Sequence, residues 1–535
     1  MAMAEKKPYP EPESELNPST GDTEKLPDDT VMEAVFGNPS ELENGNLSPS
    51  NWSSSGLSDN QSVPAQEAQP TRIKVVFEEN DPENPMKWKF SKKAIHTAMY
   101  GITTFAAQYN STTMSPTVPL LMEEFHTNET VATLATSLYV LGIAFGPMFF
   151  APFSEMFGRK IGVFLPFFIS VVFTAGSSGS SNMAAILCTR FFAGVFAGAP
   201  IVSSGGVLAD IWVPAVRGIS LVFYAFFVVS GTTFGPVFSS LLVNQGHRSW
   251  RWPLWLVMIV DGIILAIDVL VLSETYAPII LKRRATRLRK ETGNQTYYAQ
   301  HEEFRLDFKE YISLHLLRPF AMLATPIVFF IAMFASYVFG ILYLVVTSVP
   351  VAFELSYNWK GTVTTLPLAA VAMGAWCGGF INILCQIEYG KQVRANNNKP
   401  LPEKRFIPMM YFGWLMPAGL MMFAWSAGRT HWIVPFLGIG IMSSGFFIIF
   451  QNCLNYLVDA FTRFAASAIA ANTFTRSVFG AVFPLFGTQI FTKLGVSWGG
   501  STLAFIALGM LPIPFVFYAF GEKIRSRNPY IKLVT

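Results

Sequence analysis

The sequence predicts an all-α membrane protein of twelve transmembrane helices arranged as two six-helix bundles. Three observations carry that expectation. Of the 535 residues 51% are hydrophobic and only 14% are charged, too few to cover a soluble surface of this size. The apolar residues gather in runs of roughly 20, the length that a helix rising about 1.5 Å per residue needs to cross about 30 Å of hydrocarbon. The runs fall into two sets of six, one on each side of a polar segment at 273–318.

In chain order the expected spans are 94–113, 131–153, 161–180, 184–208, 219–243, 253–272, 319–347, 362–386, 406–427, 431–457, 464–490 and 498–520. Residues 1–92 are rich in Ser, Asn, Pro, Glu and Asp, too polar to bury a core, and read as a disordered cytoplasmic tail. They hold no charged start leading into a short apolar run with a cleavage site, so the first span is expected to direct insertion itself. The remaining divisions are an N-terminal bundle at 93–272, a cytoplasmic central loop at 273–318, a C-terminal bundle at 319–520 and a cytoplasmic tail at 521–535.

Orientation follows from the loop bases. One side collects Lys87, Lys89, Lys92, Lys93, Arg159, Lys160, Arg217, Arg463, Lys523, Arg525, Arg527 and Lys532, together with the segments KRRATRLRK and KQVRANNNKPLPEKR. The other side holds Arg248, Arg251, Lys360, Arg429 and Lys493. Both termini are therefore expected in the cytosol of a multi-pass protein of the cell membrane, with the vacuolar membrane as second choice. That orientation leaves the sequons at Asn46, Asn51, Asn60 and Asn294 cytosolic and puts Asn110 too near the membrane, so Asn128 is the candidate for a glycan. Cys188, Cys377, Cys385 and Cys453 fall inside spans without a CxxC pair, which reads as apolar packing.

Polar residues within so apolar a chain need a reason. The stretch APFSEMFGRK, 151–160, sits at the turn between the second and third spans, where Gly158 can supply a positive φ. Arg159 and Lys160 lie near the carboxyl end of the second helix, which favours cations, and Glu155 offers them a partner. A positively charged anchor explains the bases. It leaves the acid unexplained.

This loop resembles the signature of the major facilitator superfamily, with Glu155 in the acidic place, Gly158 as its glycine and Arg159 and Lys160 as its paired bases; Ala151 and Met156 depart from it. The resemblance implies a major facilitator fold in which Glu155, Gly158, Arg159 and Lys160 form a cytoplasmic latch. Longer strings, among them RFFAGVFAGAPIVSSGGVLADIW, SETYAPIILKRRATRLRKETG, NYLVDAF and ASAIAANTFTRSVFGAVFPLFG, resemble the fungal drug:proton antiporters with twelve spans. That likeness implies an exporter driven by protons. The antiporter signature is half present: Gly231, Gly235 and Pro236 match, while Val222, Ser239 and Ser240 replace its other glycines. The same spacing also suits close helix packing.

A charge at bilayer depth costs about 2.5–3.5 kcal/mol on insertion scales, so each needs a partner or a polar cavity. Arg190, Asp261, Asp268 and Arg476 are such charges. Arg190 matches the arginine of the family's fourth helix, and with Asp261 it is a candidate for proton coupling; a hydrogen-bonding role for Arg190 and helix pairing for Asp261 stay open. Asp268, nearer the cytosol, is expected to snorkel. Twin bundles rock about a site near the midplane, where Asn110, Tyr224, Tyr337, Tyr343, Asn382, Gln451, Asn452, Asn455 and Asn472 are the pocket candidates. IEYGKQVR after the eighth span, with Glu388, Gly390 and Lys391, reads as an echo of the latch loop, and Asp210 and Glu388, at cytosolic helix ends, are expected to serve the latch with Glu155.

No G-x-x-x-x-G-K-[ST] loop serves an ATP-driven pump, and the six histidines lack ligand spacing, so neither an enzyme nor a metal or other cofactor is expected. The expected partners are a small-molecule substrate, protons and the lipid bilayer, with no nucleic acid and the chain a monomer. The reading is a proton-coupled exporter of drugs, toxins or polyamines. An importer of the same fold and a channel or receptor remain alternatives.

Overall fold

The computed structural model describes residues 72–79, 81–244, 249–302, 316–396, 400–461 and 464–526. The sequons at Asn46, Asn51 and Asn60, the bases Arg248, Arg463, Arg527 and Lys532, and most of both expected tails lie outside the described residues.

The N-terminal bundle consists of α1 (Phe90–Thr112), α2 (Glu129–Phe157), α3 (Arg159–Ser178), α4 (Met183–Ile211), α5 (Pro214–Asn244) and α6 (Arg251–Val271). Helix starts are set locally: the Asn128 side chain accepts the Val131 N–H at 2.9 Å and that of Asn182 accepts the Ala185 N–H at 2.8 Å, each satisfying an orphan donor. The C-terminal bundle holds α7 (Pro326–Tyr357), α8 (Ala369–Ala395), α9 (Leu415–Ser426) and α10 (Ile433–Ala460). It ends in the helical stretch Ala465–Met510 and the helix Pro512–Ser526. Gly495 breaks the long stretch with φ 73° and ψ 162°, a conformation that L side chains rarely adopt. We label 465–494 as α11 and 496–510 as α12, which Pro512–Ser526 continues. Phe339 of α7 faces Gly480 and Ser348 faces Gly487, so α11 runs with α7. Tyr337 meets Leu503 and Phe330 meets Phe517, so α12 returns.

Ten stretches among the described residues are long and apolar enough to cross a membrane. The expected twelve differ from that number at two places. Ala465–Ser526 counts as one stretch although it reverses at Gly495, and α1 is too rich in Lys, Thr, Gln and Asn to qualify by composition. Lipid-facing surface is clearest on α6, where Ile259, Ile263, Ile267 and Leu270 are exposed at helical spacing, whereas α7 is buried over most of its length.

The region before α1 departs from the expected disorder of 1–92. Ile73–Lys74 pairs in parallel with Tyr297–Tyr298, and Asp81 and Glu83 form ion pairs with Arg284 and Arg287 of the helix Ala277–Thr292. Opposite charges and a two-residue ladder hold this segment to the expected central loop, whose residues Ala277–Thr292 form a helix.

Candidate functional site

We call the end of the molecule where α1 starts the terminal face. There α2 ends at Phe157 and α3 begins at Arg159, with Gly158 between them at φ 97°. A Cβ on Gly158 would lie 2.3 Å from Glu274 Oε2, so the turn needs glycine for both its dihedral and the carboxylate behind it. Glu274 accepts the backbone N–H groups of Arg159 at 2.8 Å, Thr275 at 3.0 Å and Tyr276 at 3.0 Å, and that of Lys160 at 3.3 Å. It therefore caps α3, where a negative charge suits the helix N-terminus. Sequence reasoning missed Glu274 as a site residue. Its signal was the SETYAP string, which lies far along the chain from the loop it serves.

The Arg159 guanidinium donates to Asp210 of α4 at 3.0 Å and to Ser154 at 2.8 Å, over the Tyr276 ring at 4.9 Å. Glu155, the expected acid, lies at 4.0 Å and is half exposed. Asp210 is the nearer carboxylate. Lys160 donates to the Val269 carbonyl at 2.9 Å.

The C-terminal bundle repeats this arrangement with residues other than those expected. Arg405 donates to Asp459 of α10 at 2.7 Å and also to Gln386, and it lies 3.6 Å from the Tyr389 ring centre. Tyr389 itself donates to Asp459 at 2.6 Å. Among the described residues Glu388 and Lys391 pair only with each other, at 3.2 Å on the surface, and a Cβ on Gly390 would meet open space. The expected echo at Glu388 followed local spacing. The repeat instead joins residues 54 positions apart.

In the N-terminal bundle Arg190 is fully buried. It donates to the Ala135 carbonyl at 2.9 Å, to Asn110 Oδ1 at 2.5 Å and to the Asn110 carbonyl at 2.9 Å, and it lies over the Tyr139 ring at 4.3 Å. The Asn110 amide also donates to Thr174 at 2.9 Å. Asn110 is thus spent on Arg190 instead of lining a pocket. Asp261 is buried on α6 and has no hydrogen-bond or ion-pair partner among the described residues. Asp268 does not snorkel: it is fully buried and accepts from Thr103 of α1 at 2.5 Å.

Gly231 and Gly235 bring α5 against α1. A Cβ on Gly231 would sit 2.4 Å from the Phe105 carbonyl oxygen, and one on Gly235 2.4 Å from Thr112 Oγ1. Thr112 donates to the Thr232 carbonyl at 2.8 Å across the same seam, and Pro236 follows within the helix.

Between the bundles a cavity of about 450 Å³ lies on the side away from the terminal face. Both halves line it, with Glu129, Thr133, Thr136 and Asn244 from one and Thr347, Glu354, Thr365 and Thr488 from the other. On the terminal side the seam is filled with rings: Phe145 against Phe474, and Phe226 against Phe380 and Phe447. The Tyr343 hydroxyl spans the halves, 3.1 Å from Ser111 Oγ and 3.5 Å from Gln108 Oε1.

The other pocket candidates divide. Tyr224 donates to the Ile201 carbonyl at 3.0 Å and Tyr337 to the Leu503 carbonyl at 2.6 Å, so both hydroxyls are used within their own halves. The Asn452 amide donates to Asn382 at 3.0 Å. Gln451 is buried on α10. The Asn455 Nδ2 and both amide atoms of Asn472 are buried without partners among the described residues. Arg476, one turn beyond Asn472, has its guanidinium 5.1 Å from the rings of both Phe339 and Phe450.

Two helical bundles about a shared cavity, with charge networks repeated at one face, define a multi-pass membrane transporter. The chain belongs to the Major Facilitator Superfamily, whose family model matches residues 100–484. It is 40% identical over 465 residues to the efflux pump bik6 of Gibberella fujikuroi, covering 86% of this chain and 96% of that protein. It is 36% identical over 456 residues to the major facilitator superfamily multidrug transporter FLU1 of Candida albicans, covering 84% of this chain and 75% of that one. Among solved structures it resembles the xylose transporter XylE from E. coli, with a TM-score of 0.54 at 15% identity over 80% of this chain and 98% of that one, a likeness of fold.

Proposed function

We propose that the chain is a proton-coupled exporter of small organic compounds, seated in the cell membrane with both ends in the cytosol. The observation that carries this reading is the asymmetry of the seam: a cavity on the far side, packed phenylalanines and paired Arg–Asp networks on the terminal side. Rocking two bundles about a central site interchanges such open and closed ends. The relatives' names, an efflux pump and a multidrug transporter, support outward movement of drugs or toxins.

In this reading Glu155, Gly158, Arg159 and Lys160, with Glu274 and Asp210 behind them, latch the cytosolic side, and the Arg405–Asp459 pair does the same for the second bundle. Arg190 and Asp261 are the proton-coupling residues, since one is a buried charge held by neutral groups and the other a buried carboxyl without a partner among the described residues. Asn128 would then lie outside as the glycan acceptor. The test is transport in proteoliposomes with an imposed pH gradient, using a fluorescent lipophilic probe. Accumulation that an uncoupler abolishes upholds coupled export. Movement indifferent to the gradient removes the coupling, and movement in the opposite sense makes the protein an importer.

A further inference from the structure

Arg476, within α11, is an arginine whose guanidinium meets no acceptor among the described residues. A guanidinium carries five N–H donors and stays ionised. Arg190 uses its donors on Asn110 and Ala135, Arg159 on Asp210 and Ser154, and Arg405 on Asp459 and Gln386. Arg476 is 8% exposed, its Nε is buried without a partner, and among the described residues no carboxylate or other acceptor meets any of its nitrogens. Its neighbours are ring faces, those of Phe339 and Phe450, which are stacked at 5.9 Å with 24° between their planes.

A second unanswered group lies beside it. Asn472 is four residues earlier on α11 and so shares its helix face. It is 0% exposed, and among the described residues neither its amide oxygen nor its nitrogen has a partner. Stranding such groups is costly unless something else pairs with them.

We infer that Arg476 and Asn472 anchor an ionised acidic group of the transported compound, and that the substrates therefore include flat aromatic organic acids. This deepens the export reading and rests on it for the direction of movement. A carboxylate or phenolate can take two guanidinium N–H groups side by side and leave its remaining oxygen contact to the Asn472 amide. The aromatic body then lies against Phe339 and Phe450. A neutral compound would leave the guanidinium's charge uncompensated, and a cation would be repelled.

The experiment uses the full-length purified protein and two probes of equal shape, 1-naphthoate and 1-naphthamide, with binding read by titration. Wild type is expected to hold the acid at least about tenfold tighter than the amide, as a charge-assisted pair implies. Arg476→Gln should bring the ratio to within about twofold by weakening the acid far more than the amide, with circular dichroism and monodisperse elution showing that the variant is folded; Arg476→Lys should keep part of the ratio. Equal affinities in wild type, or a ratio that survives in Arg476→Gln, would overturn the anchor. Transport measured in parallel separates the two readings. Acid-selective binding without gradient-driven movement upholds the anchor and removes the export reading. Gradient-driven movement of the amide with no preference for the acid upholds export and removes the anchor.

Discussion

Arg405 donates to Asp459 at 2.7 Å on one bundle, in the same relation that Arg159 bears to Asp210 at 3.0 Å on the other. Both pairs are mostly shielded from solvent and both lie at the terminal face, beside the closed part of the seam. If they favour that closed arrangement, Asp210→Asn combined with Asp459→Asn should shift the population toward opening there. A part-buried charged hydrogen bond contributes about 1.5–3 kcal/mol, so the two losses together should change the ratio of states by on the order of tenfold or more. Spin labels at positions 216 and 387, on a background without native cysteines, would read this as a longer distance in the double variant. An unchanged distance distribution would sink the latch.

Glu274 makes a more local prediction. Its carboxylate takes four backbone N–H groups that have no other partner among the described residues, at the start of α3 and after α6. Glu274→Ala leaves them stranded, with an expected loss on the order of 1–3 kcal/mol. Glu274→Gln should lose less, because one acceptor oxygen remains. Thermal unfolding in detergent should therefore order the proteins as wild type, Gln variant, Ala variant; the reverse order of the two variants would exclude the capping role.

The fold was legible because it depends on short-range pattern: runs of apolar residues, a polar gap, basic loops. It was legible even where length and composition alone fall short: polar α1 answers the span expected at 94–113, and the break at Gly495 falls between the spans expected at 464–490 and 498–520. The latch loop could be found since Glu155 to Lys160 are contiguous. Asp210 was legible as an acid at a cytosolic helix end, but its pairing with Arg159 across 51 positions was not, nor was Glu274, which meets Arg159 across 115. The misplacement of Asn110 has a related cause. Polarity marked it as unusual for a span, yet nothing in the local sequence reveals that Arg190, 80 positions away, takes both its side chain and its carbonyl.

That pairing predicts how Arg190 responds to substitution. Its planar fork reaches the Ala135 carbonyl and two oxygens of Asn110 at once, which a lysine ammonium on a flexible stem cannot reproduce. Arg190→Lys should behave nearly as badly as Arg190→Gln in transport, each at least about tenfold below wild type, taking about 1.5–3 kcal/mol for a charged hydrogen bond. Asn110→Ala should be destabilised as well, having removed an acceptor from a buried cation. Near-normal transport by the lysine variant would show that charge alone suffices.

The close approach of α1 and α5 is the basis for reading Gly235 as a packing residue. With Thr112 Oγ1 at 2.4 Å and the Tyr109 oxygen at 2.6 Å from a Cβ placed there, Gly235→Leu must push the helices apart. Overpacking of this kind costs about 1–3 kcal/mol. Its expected signature is a lower yield of monodisperse protein and a lower unfolding temperature, with transport per folded molecule falling alongside. A stable, well-behaved Gly235→Leu protein that merely fails to transport would argue for a direct role of the signature in coupling.

The segment before α1 makes a prediction about pH. Burial of Asp81 works to raise its pKa, but the backbone N–H of Glu83 and the Arg284 guanidinium outweigh it, and the carboxyl titrates below its ordinary 3.8. A group whose folded pKa is depressed contributes stability above its unfolded pKa, and that contribution is lost as pH falls through the folded value. Docking of residues 73–84 on the helix Ala277–Thr292 should therefore be constant from pH 8 to about 5 and loosen only beneath about 4, where an ordinary aspartate is protonated. Val76 is exposed beside the Ile73–Lys74 strand, so a nitroxide on Val76→Cys can follow the segment by its mobility. Mobility should stay flat across the neutral range and rise in acid, and adding Arg284→Gln should raise it at every pH. A transition centred near pH 6 to 7 would mean that a group other than Asp81 controls the docking.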